Sequence, residues 1–150
     1  MNIKNKNCSA KVFLRFSNPY YNNIVRSNTE NIARKTGFNE DQVFETVMAV
    51  DEAYTNAVEH SKIHDTEIII EIEYLIYDDK LEIFVKDTGC GFKMSDGIIS
   101  DSLKSNLSNR GRGLSLIKCL SDKFDVNTRV GVGTEIKIVK YLKKMVAKNT

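Results

Sequence analysis

From Asn39 to Glu59 the chain carries Val43, Phe44, Val47, Val50, Tyr54, Ala57 and Val58 at three- and four-residue steps, with neither proline nor glycine among them. Apolar residues that recur once per helical turn predict one long helix, about residues 40 to 60. Asn39 stands where an N-cap is needed, and Glu40 and Asp41 place acidic charge in the first turn. This is the strongest helix signal in the sequence.

Lys11 to Ser17 alternates, with Val12, Leu14 and Phe16 on one face, and is expected as a strand that Asn18-Pro19 ends. Tyr21 to Lys35 carries Ile24, Val25 and Ile32 near helical spacing and is expected as a helix closed by Gly37. Thr66 to Ile76 alternates Glu67, Glu71 and Glu73 with isoleucine-rich positions, Asp78-Asp79-Lys80 makes a turn, and Leu81 to Lys86 returns as the second strand of a hairpin. Asp87 to Arg112 is polar and without periodicity, a length of loop that in a compact domain is usually functional or mobile. Gly113 to Leu120 is predicted as a helix, and Lys123 to Arg129 with Thr134 to Tyr141 as a second hairpin around Val130-Gly131-Val132-Gly133. The order β-α-α-β-β-loop-α-β-β, with antiparallel hairpins and helices gathered on one face, is an α+β fold.

Composition narrows the function. The 150 residues are 41% apolar and 28% charged with no shift along the chain, so residues 1–150 are read as one domain with its own core. No apolar run is long enough for a membrane span, and the N-terminus has no apolar stretch of the kind a secretory leader needs. Basic and acidic residues number 22 and 20, a net charge of +2, which gives no electrostatic footprint for direct nucleic-acid binding. Cys8, Cys90 and Cys119 are odd in number and contain no C-x-x-C pair, so reduced thiols and a cytoplasmic location are expected rather than a zinc site or disulfides.

Four short patterns carry chemistry. On the long helix, Glu52 and Asn56 lie four residues apart and share a face; a carboxylate can take a proton from a nucleophile, and an amide oxygen suits magnesium beside phosphates. Asp87-Thr88-Gly89-Cys90-Gly91 follows a strand, where alternating glycines let backbone approach a ligand and the aspartate can accept a hydrogen bond from an exocyclic amine. Arg110-Gly111-Arg112-Gly113-Leu114 precedes a helix, where free amides, the helix dipole and two guanidinium groups favour phosphate oxygens. Gly133-Thr134 opens the last strand. Each also has an ordinary structural reading: a solvated helix face, two tight turns, and a lone G-x-G that is neither a dinucleotide fingerprint nor a Walker A loop.

In this order the patterns resemble the N, G1, G2 and G3 boxes of the GHKL ATP-binding superfamily, which includes gyrase, heat-shock chaperones, histidine kinases and mismatch-repair proteins, over about residues 10 to 141. The resemblance implies the Bergerat ATP-binding fold: a two-layer α/β sandwich, with a mixed, mostly antiparallel sheet and helices on one face. A chain of 150 residues leaves no room for transducer domains, and neither His60 nor His64 has the context of a phosphoacceptor histidine. The chain is similar to the small bacterial anti-sigma factors of sporulation and general stress that are also serine/threonine protein kinases, through Phe16 to Gly37 and Asp51-Glu52-Ala53-Tyr54-Thr55-Asn56-Ala57-Val58-Glu59-His60.

The resemblance carries roles with it. Asn56 would hold Mg2+ bridging the ATP phosphates, and Glu52 would be the general base toward a serine or threonine hydroxyl. Asp87 would read the adenine amine, with Gly89 and Gly91 giving close backbone approach and Thr134 beside the base. Arg110, Gly111, Arg112, Gly113 and Leu114 would form the phosphate cradle, and residues 92–110 the ATP lid. The implied partners are a sigma factor, a STAS-domain anti-sigma-factor antagonist as phosphorylation substrate, and a second copy in a homodimer. Two other readings compete: a non-catalytic module that binds a partner in response to ATP, and an ATP-binding domain detached from a larger regulator.

Overall fold

The computed structural model of the chain describes residues 8–62, 69–89 and 108–143, with the backbone alone at 60–62 and 108–111. Along it run β1 (Ala10–Phe16), α1 (Asn22–Thr36), α2 (Glu40–Lys62), β2 (Ile70–Ile76), β3 (Lys80–Asp87), α3 (Ser108–Leu120), β4 (Lys123–Arg129) and β5 (Gly133–Tyr141). The strands form one sheet in the order β1-β2-β3-β5-β4, and every pairing among the described strands is antiparallel, so the parallel component of a mixed sheet is absent from this part of the chain. Direct hairpins join β2 to β3 and β4 to β5, and antiparallel pairing is what so short a connection permits.

The local chemistry explains most boundaries. Asn39 caps α2 by accepting the Gln42 amide at 2.8 Å, and the Gln42 side-chain oxygen accepts the Asn39 amide at 3.3 Å, a reciprocal cap. Gly37 closes α1 in the left-handed conformation expected of it. The strand expected from Thr66 is described only from Ile70; residues 63–68 lie outside the described part. The third helix departs from expectation, because it begins at Ser108 rather than Gly113. Ser108 and Asn109 suit a helix start, and the residues up to Leu116 include no proline or β-branched side chain. Its two glycines cost about 1 kcal/mol each against alanine, which the burial of Leu114 and Ile117 offsets. Ser108, Asn109 and Arg110, expected in the lid loop, are therefore its first turn; residues 92–107 of that expected lid lie outside the described part.

Helix α2 is central, packed against α1 on one side, α3 on the other, and over β3 and β5 below. Val50, Ala53, Tyr54 and Ala57 meet Ile72, Tyr74, Ile83, Val85, Ile136 and Ile138 from the sheet. Directly opposed residues of antiparallel strands share a face, so the registers define rows across the sheet. On the helix side, one row runs Val12, Tyr74, Ile83, Ile138, Phe124 and the next Leu14, Ile72, Val85, Ile136, Val126. The row beyond reads Phe16, Ile70, Asp87, Thr134, Thr128. The apolar columns of β3, β5 and β4 thus each end in a polar residue on the same row. Among the described residues no helix lies over the other sheet face, which is charged, with Lys11–Glu73 and Arg15–Glu71 ion pairs beside the exposed Phe13.

Candidate functional site

Two clusters emerge. The first lies between α2 and α3. Glu52, Thr55, Asn56 and Glu59 fall at helical spacing along one stripe of α2, and Arg112, Gly113 and Leu116 face them from α3, around a pocket of about 290 Å3. The ordinary structural reading of Glu52 and Asn56 is a solvated helix face. Asn56 is in fact buried, at 5% exposure, because α3 covers that flank. Its Nδ2 is buried with no hydrogen-bond partner among the described residues. An orphaned buried amide is costly, about 1–3 kcal/mol, and marks a place where a ligand group belongs.

Gly113 explains how α3 comes so close. A Cβ at this position would stand 3.1 Å from both Asn56 side-chain termini and 3.2 Å from Glu52 Oε2. Glu52 is half-buried, and burial pushes its carboxyl above the ordinary carboxylate value, with Asp51 and Glu59 adding repulsion. Arg26 binds both oxygens of Asp51, at 2.9 and 2.7 Å, which ties α1 to α2 one residue before Glu52. Because α3 starts at Ser108, the amides left free by its first turn are those of Ser108 to Arg110; Gly111 and Gly113 lie within the helix. Arg112 is exposed at the pocket, and Leu114 is buried in the core rather than lining it.

The second cluster is the polar end of the sheet. Asp87 is buried and its Oδ1 accepts the Gly89 amide at 2.9 Å, which folds the chain back over the carboxylate directly after β3. Thr134 pairs with Asp87 across β3 and β5, also buried. Gly133 packs so tightly on Asp87 that a Cβ there would lie 2.1 Å from the Asp87 carbonyl oxygen. Gly91 lies outside the described residues.

Thr55, Glu59, Leu116 and Thr128 join these clusters without having been singled out in the sequence. The first two follow Glu52 by three and seven positions and Leu116 follows Gly113 by three, so helical periodicity alone could have found them. Thr128 needed the hairpin register.

Glu52, Asn56 and Glu59 on one stripe of α2, with Arg112 and Gly113 across the gap on α3, make one polar cluster, and the buried Asp87 where the sheet's apolar rows end makes the other. The chain matches the histidine kinase-like ATPase domain over residues 17–140. It belongs to that family. Its nucleotide is accordingly ATP. Relatives named serine-protein kinase RsbW include those of Bacillus licheniformis, 32% identical over 132 residues (84% of this chain, 81% of the relative), and of Bacillus subtilis, 33% identical over 130 residues (83% and 80%). The protein of that name from Listeria monocytogenes serovar 1/2a is 32% identical over 140 residues, 87% of either chain.

The oxygen-bearing side chains of the α2–α3 pocket are of the chemical type that would accept Mg2+ carried by a nucleotide. Among the described residues no group of three or more His, Cys, Asp or Glu side chains could hold a metal ion unaided. Magnesium in nucleotide sites is held mostly by phosphates and water with one or two protein oxygens. Asn56 Oδ1, with the carboxylates of Glu52 and Glu59 lining the same pocket, is the protein oxygen that would serve such an ion. Among the described residues no helix is long and apolar enough to cross a membrane.

Proposed function

We propose that this chain is an ATP-dependent serine/threonine protein kinase and anti-sigma factor, in which Asn56 holds Mg2+ on the ATP phosphates and Glu52 is the general base. The observation that carries the reading is a pocket in which Glu52 and the buried Asn56, one turn apart on α2, stand together opposite Gly113 of α3. Phosphoryl transfer asks a protein for positioning and charge neutralisation more than for covalent chemistry. The metal would supply charge neutralisation on the phosphates. Arg112 and Arg110 add cationic donors, and the amides of the first turn of α3 add dipoles. The substrate hydroxyl oxygen forms its bond to the terminal phosphorus as the bond to the ADP oxygen breaks, and Glu52 takes the hydroxyl proton. A carboxylate whose affinity for protons is raised by burial is better matched to that task than an exposed one.

At the other end, Asp87 accepts the adenine amine, Gly89 and Gly91 allow close backbone approach, and Thr134 lies beside the base. Residues 92–110 serve as the ATP lid of a single domain spanning 1–150, the last three of them forming the first turn of α3. The partners follow from the resemblance to the anti-sigma kinases: a sigma factor that is sequestered, a STAS-domain antagonist that is phosphorylated on serine, and a second copy of the chain. The exposed Phe13 on the sheet face opposite the helices, left open by the described residues, supports a homodimer, and balanced charge argues against direct nucleic-acid contact. The reading places the protein in the cytoplasm.

The test is transfer of labelled phosphate from ATP to a serine-bearing STAS antagonist, with Glu52→Ala and Asn56→Ala beside the wild type. Glu52→Ala should bind ATP and transfer nothing, whereas Asn56→Ala should lose Mg-ATP binding. Undiminished transfer by Glu52→Ala would remove Glu52 as the base. ATP binding without any transfer by the wild type would leave a nucleotide-responsive binding module.

A further inference from the structure

The base end of the site contains a third polar residue. Thr128 on β4 is directly opposed to Thr134 on β5, which is directly opposed to Asp87 on β3. The three side chains therefore share the helix-facing side of the sheet on one row. Thr128 Oγ1 lies 3.0 Å from Thr134 Oγ1, and 3.4 Å from the Gly133 carbonyl oxygen. Thr134 is buried, at 4% exposure, so its hydroxyl has few directions open to it. Inside a protein such a hydroxyl costs free energy unless it is hydrogen-bonded.

We propose that Thr128 is a positioning residue for the nucleobase, acting through the hydroxyl of Thr134; this rests on the reading of Asp87 and Thr134 as the base end of an ATP site. Two hydroxyls 3.0 Å apart share one proton between them, and either can donate. When Thr128 donates, the Thr134 oxygen is satisfied from behind and its own proton is free for an acceptor in the site. When Thr134 donates back to Thr128, the Thr128 proton goes to the Gly133 carbonyl and Thr134 presents only lone pairs. Adenine offers both kinds of group side by side, an amine that donates and ring nitrogens that accept. The Asp87 carboxylate only accepts, so it serves the amine. A ring nitrogen needs a donor, and the Thr128–Thr134 pair supplies one at the adjoining position on the same row. Without the Thr128 hydroxyl, Thr134 loses the partner that fixes its orientation.

The experiment is ATP binding with Mg2+ by calorimetry on wild type, Thr128→Val, Thr134→Val, the double variant and Thr128→Ser, with the melting temperature of each measured without ligand. Valine keeps the shape and the strand preference while deleting the hydroxyl. Thr128→Val is expected to weaken ATP about 3- to 10-fold, the worth of one hydrogen bond to a buried group. The double variant should be no weaker than Thr134→Val alone, because Thr128 acts through Thr134, and Thr128→Ser should restore wild-type affinity. A purely structural residue would instead lower the melting temperature and add its effect to that of Thr134→Val. Unchanged binding by Thr128→Val, or additive losses in the double variant, overturns the proposal while leaving the ATP reading intact. No ATP binding by folded wild type overturns that reading and the proposal with it. If Thr128→Val does not fold, Thr128→Ala, paired with Thr134→Val in the same way, makes the same decision.

Discussion

Replacing Gly133 by alanine should damage the base end through two separable effects. The backbone there has φ +139°, a conformation an L residue holds only at a cost of about 1–3 kcal/mol. The added methyl would also lie 2.1 Å from the Asp87 carbonyl oxygen, 3.1 Å from its carbonyl carbon and 3.2 Å from Thr88 Cα. Those are backbone atoms in a paired strand, so no side chain can swing away. Relieving the contact needs a separation of about 1 Å between β3 and β5 at the Asp87–Thr134 pair. Together the effects should destabilise by about 2–5 kcal/mol, which for a chain of this length lowers the melting temperature by roughly 5–15 °C. A 1 Å displacement of Asp87 should cost the charge-assisted bond proposed between it and the adenine amine, about 10- to 100-fold in ATP affinity. Gly131→Ala is the control. Gly131 has φ +81° but nothing within 4 Å of an added Cβ, so it should show the backbone cost alone and bind ATP normally. Scanning calorimetry and ATP titration read both quantities. If Gly133→Ala melts and binds like wild type, or falls no further than Gly131→Ala, then the tight packing of β5 on Asp87 does not hold the base end together.

Other changes should separate stability from activity. Gly113→Ala has only side chains to displace, and alanine favours a helix by about 1 kcal/mol, so its melting temperature should hold or rise while ATP binding falls through the crowding of Asn56 and Glu52. Glu52→Gln should lower phosphotransfer about 10²- to 10⁴-fold. It should also be at least as stable as wild type near neutral pH: a carboxyl raised above 4.5 binds its proton more tightly folded than unfolded, so ionising it as pH rises through that window opposes folding. The advantage of glutamine should vanish below about pH 4, where both states of Glu52 are protonated, and a stability difference that grew toward acid would contradict the burial argument. The pair of Lys140 and Glu45 should be asymmetric. Lys140 is 2% exposed and also donates to the Leu120 carbonyl at 2.9 Å, whereas Glu45 is 33% exposed. Glu45→Ala therefore strands a buried cation, at about 3 kcal/mol in urea unfolding, while Lys140→Met leaves a carboxylate that water can reach and should cost about 1 kcal/mol or less. Equal losses would mean that burial does not govern this pair.

Much of the architecture was legible because its signals are local. The three- and four-residue spacing of Val43 to Val58 located α2, and period two over Thr66 to Ile76 and Leu81 to Lys86 located a hairpin whose described strands are Ile70–Ile76 and Lys80–Asp87. The start of α3 was missed because glycine preferences were read as a boundary, whereas burial of Leu114 and Ile117 against the core decided the outcome. The same distinction divides the site. Glu52, Asn56 and their neighbours Thr55 and Glu59 belong to one stripe, so counting along the chain finds them. That Asn56 is buried could not be read from α2 alone, since it depends on Gly113 bringing another helix within contact distance.

The base end shows why cross-strand information is the harder part. Asp87 could be found from its glycine-rich successor and Thr134 from its glycine predecessor, each by its immediate neighbours. Thr128 has no such neighbour, and its position next to Thr134 exists only because the β4–β5 turn fixes the register; a slip of one residue would turn Thr128 toward the charged face. The core argues for the same register. With Thr128 opposite Thr134, Val126 falls opposite Ile136 and Phe124 opposite Ile138, so the apolar row partners place the polar pair where the buried columns end. The hydrophobic requirement of the core thus sets the position of a hydroxyl that the core itself does not need, and a site on that row follows from how the strands must pair.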